Sequence, residues 1–194
     1  MQQEVFGLNR QIRGICDLLA EEGYVVLAPD LFARLERDVD LGYTPPEFEK
    51  ALALYSSFDD EHGLADVGAA IAGLRAMPEV AGGIGTIGFC LGRRMAVKTA
   101  ARHEVDCAVS YYGVGIEDCL DLVDDIRCPM VLHFAELRSF NPPATVERIR
   151  RGFAGSKNVK TNVYASVDHA FASPERPPYD KPAAMMAYSR SLAS

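Results

Sequence analysis

Helical and strand-like patterns alternate along this chain. Apolar residues recur at helical spacing over residues 9–22, and Gly23 follows at a position where a left-handed cap would end the helix. Short apolar runs favour strands that are buried on both faces. The predicted strands are residues 24–28, 85–89, 107–111, 129–135 and 159–164, and the further predicted helices are 47–57, 64–77, 91–102, 143–153 and 183–192. This order predicts one α/β domain, residues 1–194, with a mostly parallel sheet between two helical layers.

The composition excludes several classes of partner. The 20 Lys and Arg residues against 27 Asp and Glu give a net charge of -7, which disfavours nucleic acid and anionic membranes. No apolar run approaches the ~20 residues of a membrane span, and the first residues lack the pattern of a signal peptide. The five cysteines include no C-x-x-C pair, which argues against a disulfide framework or a zinc site. We therefore expect a cytoplasmic protein without metal.

The pentapeptide GFCLG, residues 88–92, lies where a predicted strand gives way to a predicted helix. A sharp turn there would present the side chain of Cys90 above the sheet, with small residues on both sides permitting close approach. The following helix would place its positive N-terminal end at the sulfur and favour the thiolate. The pattern predicts a nucleophilic cysteine, although two glycines around a buried structural cysteine would read the same way.

A histidine follows the last predicted strand. His169 lies in a loop at the carboxyl edge of the sheet, where it could take a proton from Cys90 and return it to a leaving group. The other three histidines fit structural or surface positions, because they lie on predicted helices or their ends (His62, His103) or inside an apolar strand (His133).

Five separated motifs resemble the dienelactone hydrolase family, whose members include the carboxymethylenebutenolidases and have the α/β-hydrolase fold. The motifs are QEVFG at 3–7, APDL at 28–31, GFCLG at 88–92, YYGVG at 111–115 and HAF at 169–171. The resemblance implies hydrolysis of a small carboxylic ester or lactone through a cysteine acyl-enzyme, without metal or organic cofactor. Such a protein would be a monomer or a small homo-oligomer with a small-molecule partner.

The resemblance also implies roles for further residues. Glu4 would hold the resting thiol and help to ionise it when substrate arrives. The backbone N–H groups of Leu91 and Val5 would form the oxyanion hole, which stabilises the charge of a tetrahedral intermediate. Tyr55 stands where the family carries Trp and would supply an aromatic wall to the substrate pocket.

The sequence departs from the family at the acid that should support the histidine. Arg138 stands at the position of the catalytic Asp. A cation cannot orient an imidazole or stabilise an imidazolium. Glu136 could substitute for the missing acid, and so could Asp168, although a residue adjacent to the histidine usually points away from its ring.

Other departures change the expected pocket. Phe48 and Ser173 replace the arginines that bind the dienelactone carboxylate, so we expect neutral esters to be hydrolysed at least as well as the anionic lactone. Arg93 replaces a glycine and puts a long side chain in the first turn behind Cys90.

The sequence also lacks room for one strand of the family. That strand would lead into residues 3–4 and would lie between 24–28 and 85–89. We therefore expect an α/β-hydrolase fold without its N-terminal strands, with a gap or non-standard pairing at this place and poor folding.

Two other functions remain open. A catalytically weak or silent relative would bind a small molecule or a protein partner in the same cleft, and Arg138 and Arg93 favour that alternative. A thiol-redox protein using Cys90 is disfavoured, because no resolving cysteine lies near it in the sequence.

Overall fold

The computed structural model describes residues 1–112, 115–137 and 143–193. Six α-helices and four strands are defined in these ranges, together with one 3₁₀ helix, Ile116–Asp125. The helices are α1 Arg10–Glu21, α2 Pro45–Ser57, α3 Asp60–Ala76, α4 Leu91–Arg102, α5 Pro143–Phe153 and α6 Lys181–Leu192. The strands are β1 Gly85–Phe89, β2 Cys107–Tyr111, β3 Met130–Ala135 and β4 Val159–Tyr164.

The four strands form one parallel sheet in the order β1-β2-β3-β4. Parallel neighbours need crossover connections, which α4, the 3₁₀ helix and α5 provide. The register places Gly88 beside Ser110 and Ser110 beside Leu132. All four strands therefore end at the same edge of the sheet, which brings Cys90 to that edge. The prediction of an α/β fold with a parallel sheet is confirmed.

The two faces of the sheet pack against different helices. Ala108, Met130, Leu132 and Phe134 face the layer that contains α4, the 3₁₀ helix and α5. Alternate residues along the strands, such as Val109 and Tyr111, face α1 and α6. This alternation follows from the two-residue period of a strand. Each fully buried aliphatic or aromatic side chain contributes roughly 1.5–3 kcal/mol, so these two clusters dominate the stability of the domain.

Side chains before several helices satisfy their first N–H groups. Asn9, Asp59 and Asp180 accept hydrogen bonds from the third residue of α1, α3 and α6, at 3.3, 2.9 and 2.9 Å. At α2, Thr44 and Glu47 form a capping box, which explains why that helix begins at Pro45, before the predicted start.

The predicted strand at 24–28 is wrong. These residues form no ladder in the structure, because a strand exists only when a neighbour pairs along its length. Gln2 lies between this segment and β1: its N–H donates to Ile87 O at 2.7 Å, and its carbonyl accepts from Phe89 N at 3.2 Å. The N-terminal ammonium of Met1 donates to Leu27 O at 2.9 Å. Residues 24–28 and β1 therefore do not pair as neighbouring strands, in agreement with the gap or non-standard pairing expected here. Poor folding stays a prediction.

Gly92→Ala should destabilise the fold by about 1–3 kcal/mol, because overpacking forces backbone shifts. A Cβ at Gly92 would lie 2.4 Å from the carbonyl oxygen of Gln2. Gly73→Ala is the matched control: no atom lies within 4 Å of its added Cβ, and a helical Gly→Ala change should stabilise by about 0.5–1 kcal/mol. Urea unfolding measures both changes, and equal stability of the two variants would contradict the close packing.

Candidate active site

Cys90 occupies a strained turn between β1 and α4. Its φ of 51° and ψ of -106° are unusual for a residue with a side chain and are found where the surrounding structure imposes them. A Cβ at Gly88 would lie 1.9 Å from the carbonyl oxygen of Gly92, so glycine is required where the strand passes the helix. The predicted elbow at residues 88–92 is therefore present in the fold, with Cys90 immediately before the first residue of α4.

Backbone N–H groups surround the Cys90 sulfur. The N–H of Val5 hydrogen-bonds to the sulfur and so lowers the pKa of the thiol, although burial, the largest influence, raises it. Leu91 is the first residue of α4, and its N–H is one of the four that a helix start leaves without intrahelical partners. A hydrogen bond of 2.9 Å from Gly92 N to Gln3 O fixes the N-terminal segment against this turn. Val5 thus acts on the sulfur and Leu91 directly follows Cys90, while their role as oxyanion donors stays a prediction.

Glu4 has a buried carboxyl group near the site. Its side chain is 1% exposed, and neither oxygen has a hydrogen-bond partner. Burial raises its pKa, while Arg176 and then Arg93 act in the opposite direction. The charge of Glu4 in turn raises the pKa of Cys90. A raised pKa favours the protonated carboxyl of Glu4, and its role in holding and ionising the thiol stays a prediction.

His169 is held by a tightly packed loop after β4. Phe171 is fully buried and packs against Tyr112 and Tyr164, and the Tyr112 hydroxyl accepts a hydrogen bond from Ala172 N at 2.9 Å. The Tyr112 ring lies 5.3 Å from the imidazole of His169. Burial lowers the pKa of His169 to about 3, with Arg93 and Arg176 acting in the same direction. The imidazole is accordingly neutral at physiological pH.

Two guanidinium groups connect Cys90 with His169. Arg93 and Arg176 each lower the pKa of both side chains, so both guanidinium groups lie within electrostatic reach of Cys90 and of His169. Arg93 is 4% exposed, and Arg176 lies over the rings of Phe6 and Tyr43 at 5.6 Å. Sequence reasoning noted Arg93 but missed Arg176, whose approach depends on the loop after Ser173. Its position in the segment that follows the His169 motif was the one available signal.

The residues predicted to line the substrate pocket make different contacts in the structure. Phe48 packs on Phe6 with ring centroids 5.8 Å apart, and the buried Ser173 lies on the loop that carries Arg176. Tyr55 on α2 accepts a hydrogen bond from Arg94 at 2.9 Å and affects the pKa of Arg93. The role of Phe48 and Tyr55 as walls of a substrate pocket stays a prediction.

Three residues concern the acid that should support His169: the one at its sequence position and the two predicted substitutes. Arg138 lies outside the described residues. Glu136 is exposed, and its carboxylate accepts a hydrogen bond from Ser166 N at 2.8 Å. Asp168 raises the pKa of His169 and accepts from the backbone N–H of that residue at 2.7 Å. The roles of Glu136 and Asp168 as substitute acids stay predictions.

Comparison with known proteins identifies the family. The model of the dienelactone hydrolase family matches residues 1–193. The chain belongs to the dienelactone hydrolase family. It is 35% identical to carboxymethylenebutenolidase 1 of Cupriavidus pinatubonensis and to carboxymethylenebutenolidase of Pseudomonas putida, in each case over 98% of this chain and 81% of the relative.

Solved structures agree with this dienelactone hydrolase assignment. The crystal structure of a Klebsiella pneumoniae protein assigned as a dienelactone hydrolase superposes with a TM-score of 0.85 at 28% identity, covering 99% of this chain and 83% of the other. The chain is thus a hydrolase of the dienelactone hydrolase type with the α/β-hydrolase fold. Within residues 1–112, 115–137 and 143–193, no helix combines the length and apolar character needed to cross a membrane.

Glu4→Gln should stabilise the folded protein by about 1–3 kcal/mol at neutral pH, because it removes the charge of a buried carboxylate whose oxygens have no hydrogen-bond partner. Since burial raises the pKa of Glu4, the native state favours the protonated carboxyl. The stability gain of Glu4→Gln should therefore be absent below the ordinary pKa of 4.5. It should be fully present once the pH has risen through the raised pKa that Glu4 has in the folded protein.

Glu47→Gln provides the opposite control for urea unfolding across this pH range. The capping contact with Thr44 lowers the pKa of the partly exposed Glu47, so its replacement should destabilise the protein at neutral pH. A Glu4→Gln variant that is less stable at neutral pH would show that its carboxylate is well compensated.

Proposed function

We propose that this dienelactone hydrolase family member cleaves a small carboxylic ester or lactone through an acyl-enzyme on Cys90. The observation that carries the proposal is the position of Cys90. It combines a strained φ of 51°, the N-terminus of α4 and a hydrogen bond from Val5 N–H in one place. The other described cysteines lack this combination, and Cys119 and Cys128 are buried.

In the first half-reaction, the sulfur attacks the carbonyl carbon of the substrate. The new C–S bond places negative charge on the carbonyl oxygen, which the N–H groups of Leu91 and Val5 stabilise. Val5 N–H already reaches the sulfur, so a carbonyl carbon bound there brings its oxygen close to the same donor. The ester C–O bond then breaks, and the leaving oxygen takes its proton from His169, which receives the thiol proton directly or by way of solvent. For a lactone, the leaving oxygen stays attached as the opened ring.

In the second half-reaction, water replaces the leaving group. His169 removes a proton from the water, which attacks the thioester carbonyl, and the same oxyanion donors stabilise the second tetrahedral intermediate. Its collapse breaks the C–S bond, releases the carboxylic acid and restores the thiol. The pKa of His169 is lowered to about 3, so its imidazolium is disfavoured in the buried site. Each proton that His169 accepts is therefore held only briefly.

Cys90→Ala should abolish turnover of p-nitrophenyl acetate, with kcat/KM at least about a thousandfold below wild type, because it removes the sulfur that forms the acyl-enzyme. Cys16→Ala is the matched control, since Cys16 is a partly buried thiol on α1, outside the site. Activity of Cys90→Ala comparable to that of Cys16→Ala would contradict the proposal.

A catalytically weak relative is the second candidate, favoured by the arginine at the acid position. An acid fixes the imidazole tautomer and stabilises the imidazolium, and its neutralisation in a serine protease lowers kcat about 10⁴-fold. A thiol ionises more readily than a hydroxyl, so the loss here should be smaller and should leave measurable activity.

Arg138→Asp should therefore raise kcat for p-nitrophenyl acetate, by about tenfold or more if the new carboxylate restores part of that loss. Glu136→Gln in the original sequence should lower kcat only if Glu136 is the substitute acid. Circular dichroism and urea unfolding check that both variants fold. A flat or reduced kcat in well-folded Arg138→Asp would favour the relative that binds ligands without turnover.

A further inference from the structure

The ionised nucleophile needs a positive partner that the histidine is badly placed to provide. A thiolate and an imidazolium commonly form the ion pair of a cysteine hydrolase. Here the imidazole of His169 is buried and faces Arg93 and Arg176, so protonation of its ring would put a third cation in the pocket. Asp168 offsets this only as the weakest of the influences on that ring. A resting ion pair between Cys90 and His169 is therefore unfavourable.

Arg93 is placed to supply that charge instead. It is the third residue of α4, one turn from Cys90, and its N–H donates to Cys90 O at 3.3 Å. Its side chain is 4% exposed, and Nε has no hydrogen-bond partner. Burial lowers its pKa only to about 10, and Cys90 is the first of the neighbouring groups that raise it again. The guanidinium thus remains charged at neutral pH.

The adjacent Arg94, unlike Arg93, has its guanidinium paired with a carboxylate. Arg94 donates to Asp60 at 2.6 Å and to Tyr55 at 2.9 Å, and it lies over the Tyr55 ring. Arg93 has no carboxylate within ion-pair distance in the part of the chain that the structure describes. Glu117 and the Tyr55 hydroxyl affect its pKa only after Cys90. The positive charge of Arg93 is therefore available to the nucleophile.

We propose that the Arg93 guanidinium, rather than an imidazolium at His169, is the counter-ion of the Cys90 thiolate. This inference rests on the proposed role of Cys90 as nucleophile and assigns a function to a residue that departs from the family pattern. On ionisation of the free enzyme, the S–H proton passes to solvent, and the sulfur keeps the electron pair that later attacks the carbonyl. His169 takes up a proton from solvent only as the leaving oxygen departs in the first half-reaction, and it removes a proton from the attacking water in the second.

Other charged groups around the sulfur act less strongly or in the opposite direction. After burial, Arg93 exerts the largest influence on the pKa of Cys90 and lowers it; Glu4 then raises it, whereas Val5 N–H and Arg176 lower it. Arg176 lies farther down this order, and it acts on Glu4 more strongly than Arg93 does. Removal of Arg93 should consequently leave the thiol both buried and opposed by Glu4.

The test is the rate at which iodoacetamide alkylates Cys90 as a function of pH, followed by the mass of the Cys90 peptide. Only the thiolate forms the S–C bond with loss of iodide, so the rate reports ionisation without any need for ester turnover. Arg93→Gln should slow alkylation at neutral pH by at least about tenfold and move the profile to higher pH, because a nearby opposite charge shifts a pKa by about 1–3 units. Arg93→Lys should retain most of the reactivity.

Two further variants separate the charge of Arg93 from other effects. Arg94→Gln removes an equal charge from the next residue, and His169→Gln removes the alternative partner; both should stay within about twofold of wild type, or about 0.3 pKa units. A folded Arg93→Gln with an unchanged profile would overturn the proposal, and so would a tenfold loss in His169→Gln. If Arg93→Gln does not fold, the pH profile of alkylation in His169→Gln decides alone. An unchanged profile supports Arg93 as the counter-ion, and slower alkylation supports the imidazolium of His169.

The proposed function and this inference can fail separately. Ester turnover that survives in Cys90→Ala would end the acyl-enzyme proposal, whereas the alkylation profiles would still identify the counter-ion of the Cys90 thiolate.

Discussion

Close packing of residues 2–4 on the strand-to-helix turn positions nearly every group of the site. Gly88 and Gly92 leave no space for a Cβ, so the N-terminal segment can lie directly on the turn and accept the hydrogen bond from Gly92 N at Gln3 O. That single approach brings Val5 N–H to the Cys90 sulfur and buries Glu4 beside it. The nucleophile, an oxyanion donor and a proton acceptor therefore depend on one backbone contact.

The buried polar groups of the site lower the stability of the fold. Glu4 and the Arg93 Nε are buried without hydrogen-bond partners, and such groups typically cost about 1–3 kcal/mol each, more when charged. The hydrophobic clusters on both faces of the sheet offset this, since they contain most of the large buried side chains. Buried charges with shifted pKa values are common at functional sites, because chemistry requires groups that are not already paired.

Local patterns predicted the parts of this protein that local physics determines. The bounds of β1, α4, β2, α5 and β4 agree with the prediction, and the elbow was recognisable because only glycine fits its two close approaches. The strand at 24–28 was wrong, because strand formation needs a pairing neighbour that composition cannot reveal. Arg176 was missed because a loop brings it to Glu4, and the 3₁₀ helix at Ile116–Asp125 was missed although its buried residues Ile116, Cys119, Leu122 and Val123 recur at helical spacing.

The most direct test of the account is to trap the covalent intermediate. Wild-type protein mixed with p-nitrophenyl acetate and quenched in acid within the first turnovers is digested, and the peptides are weighed. The account predicts one acetyl group on the peptide that contains Cys90, and its loss on longer incubation as water completes the reaction. Ester hydrolysis without acetylation of Cys90, or acetylation of another residue at the same rate as turnover, would contradict it.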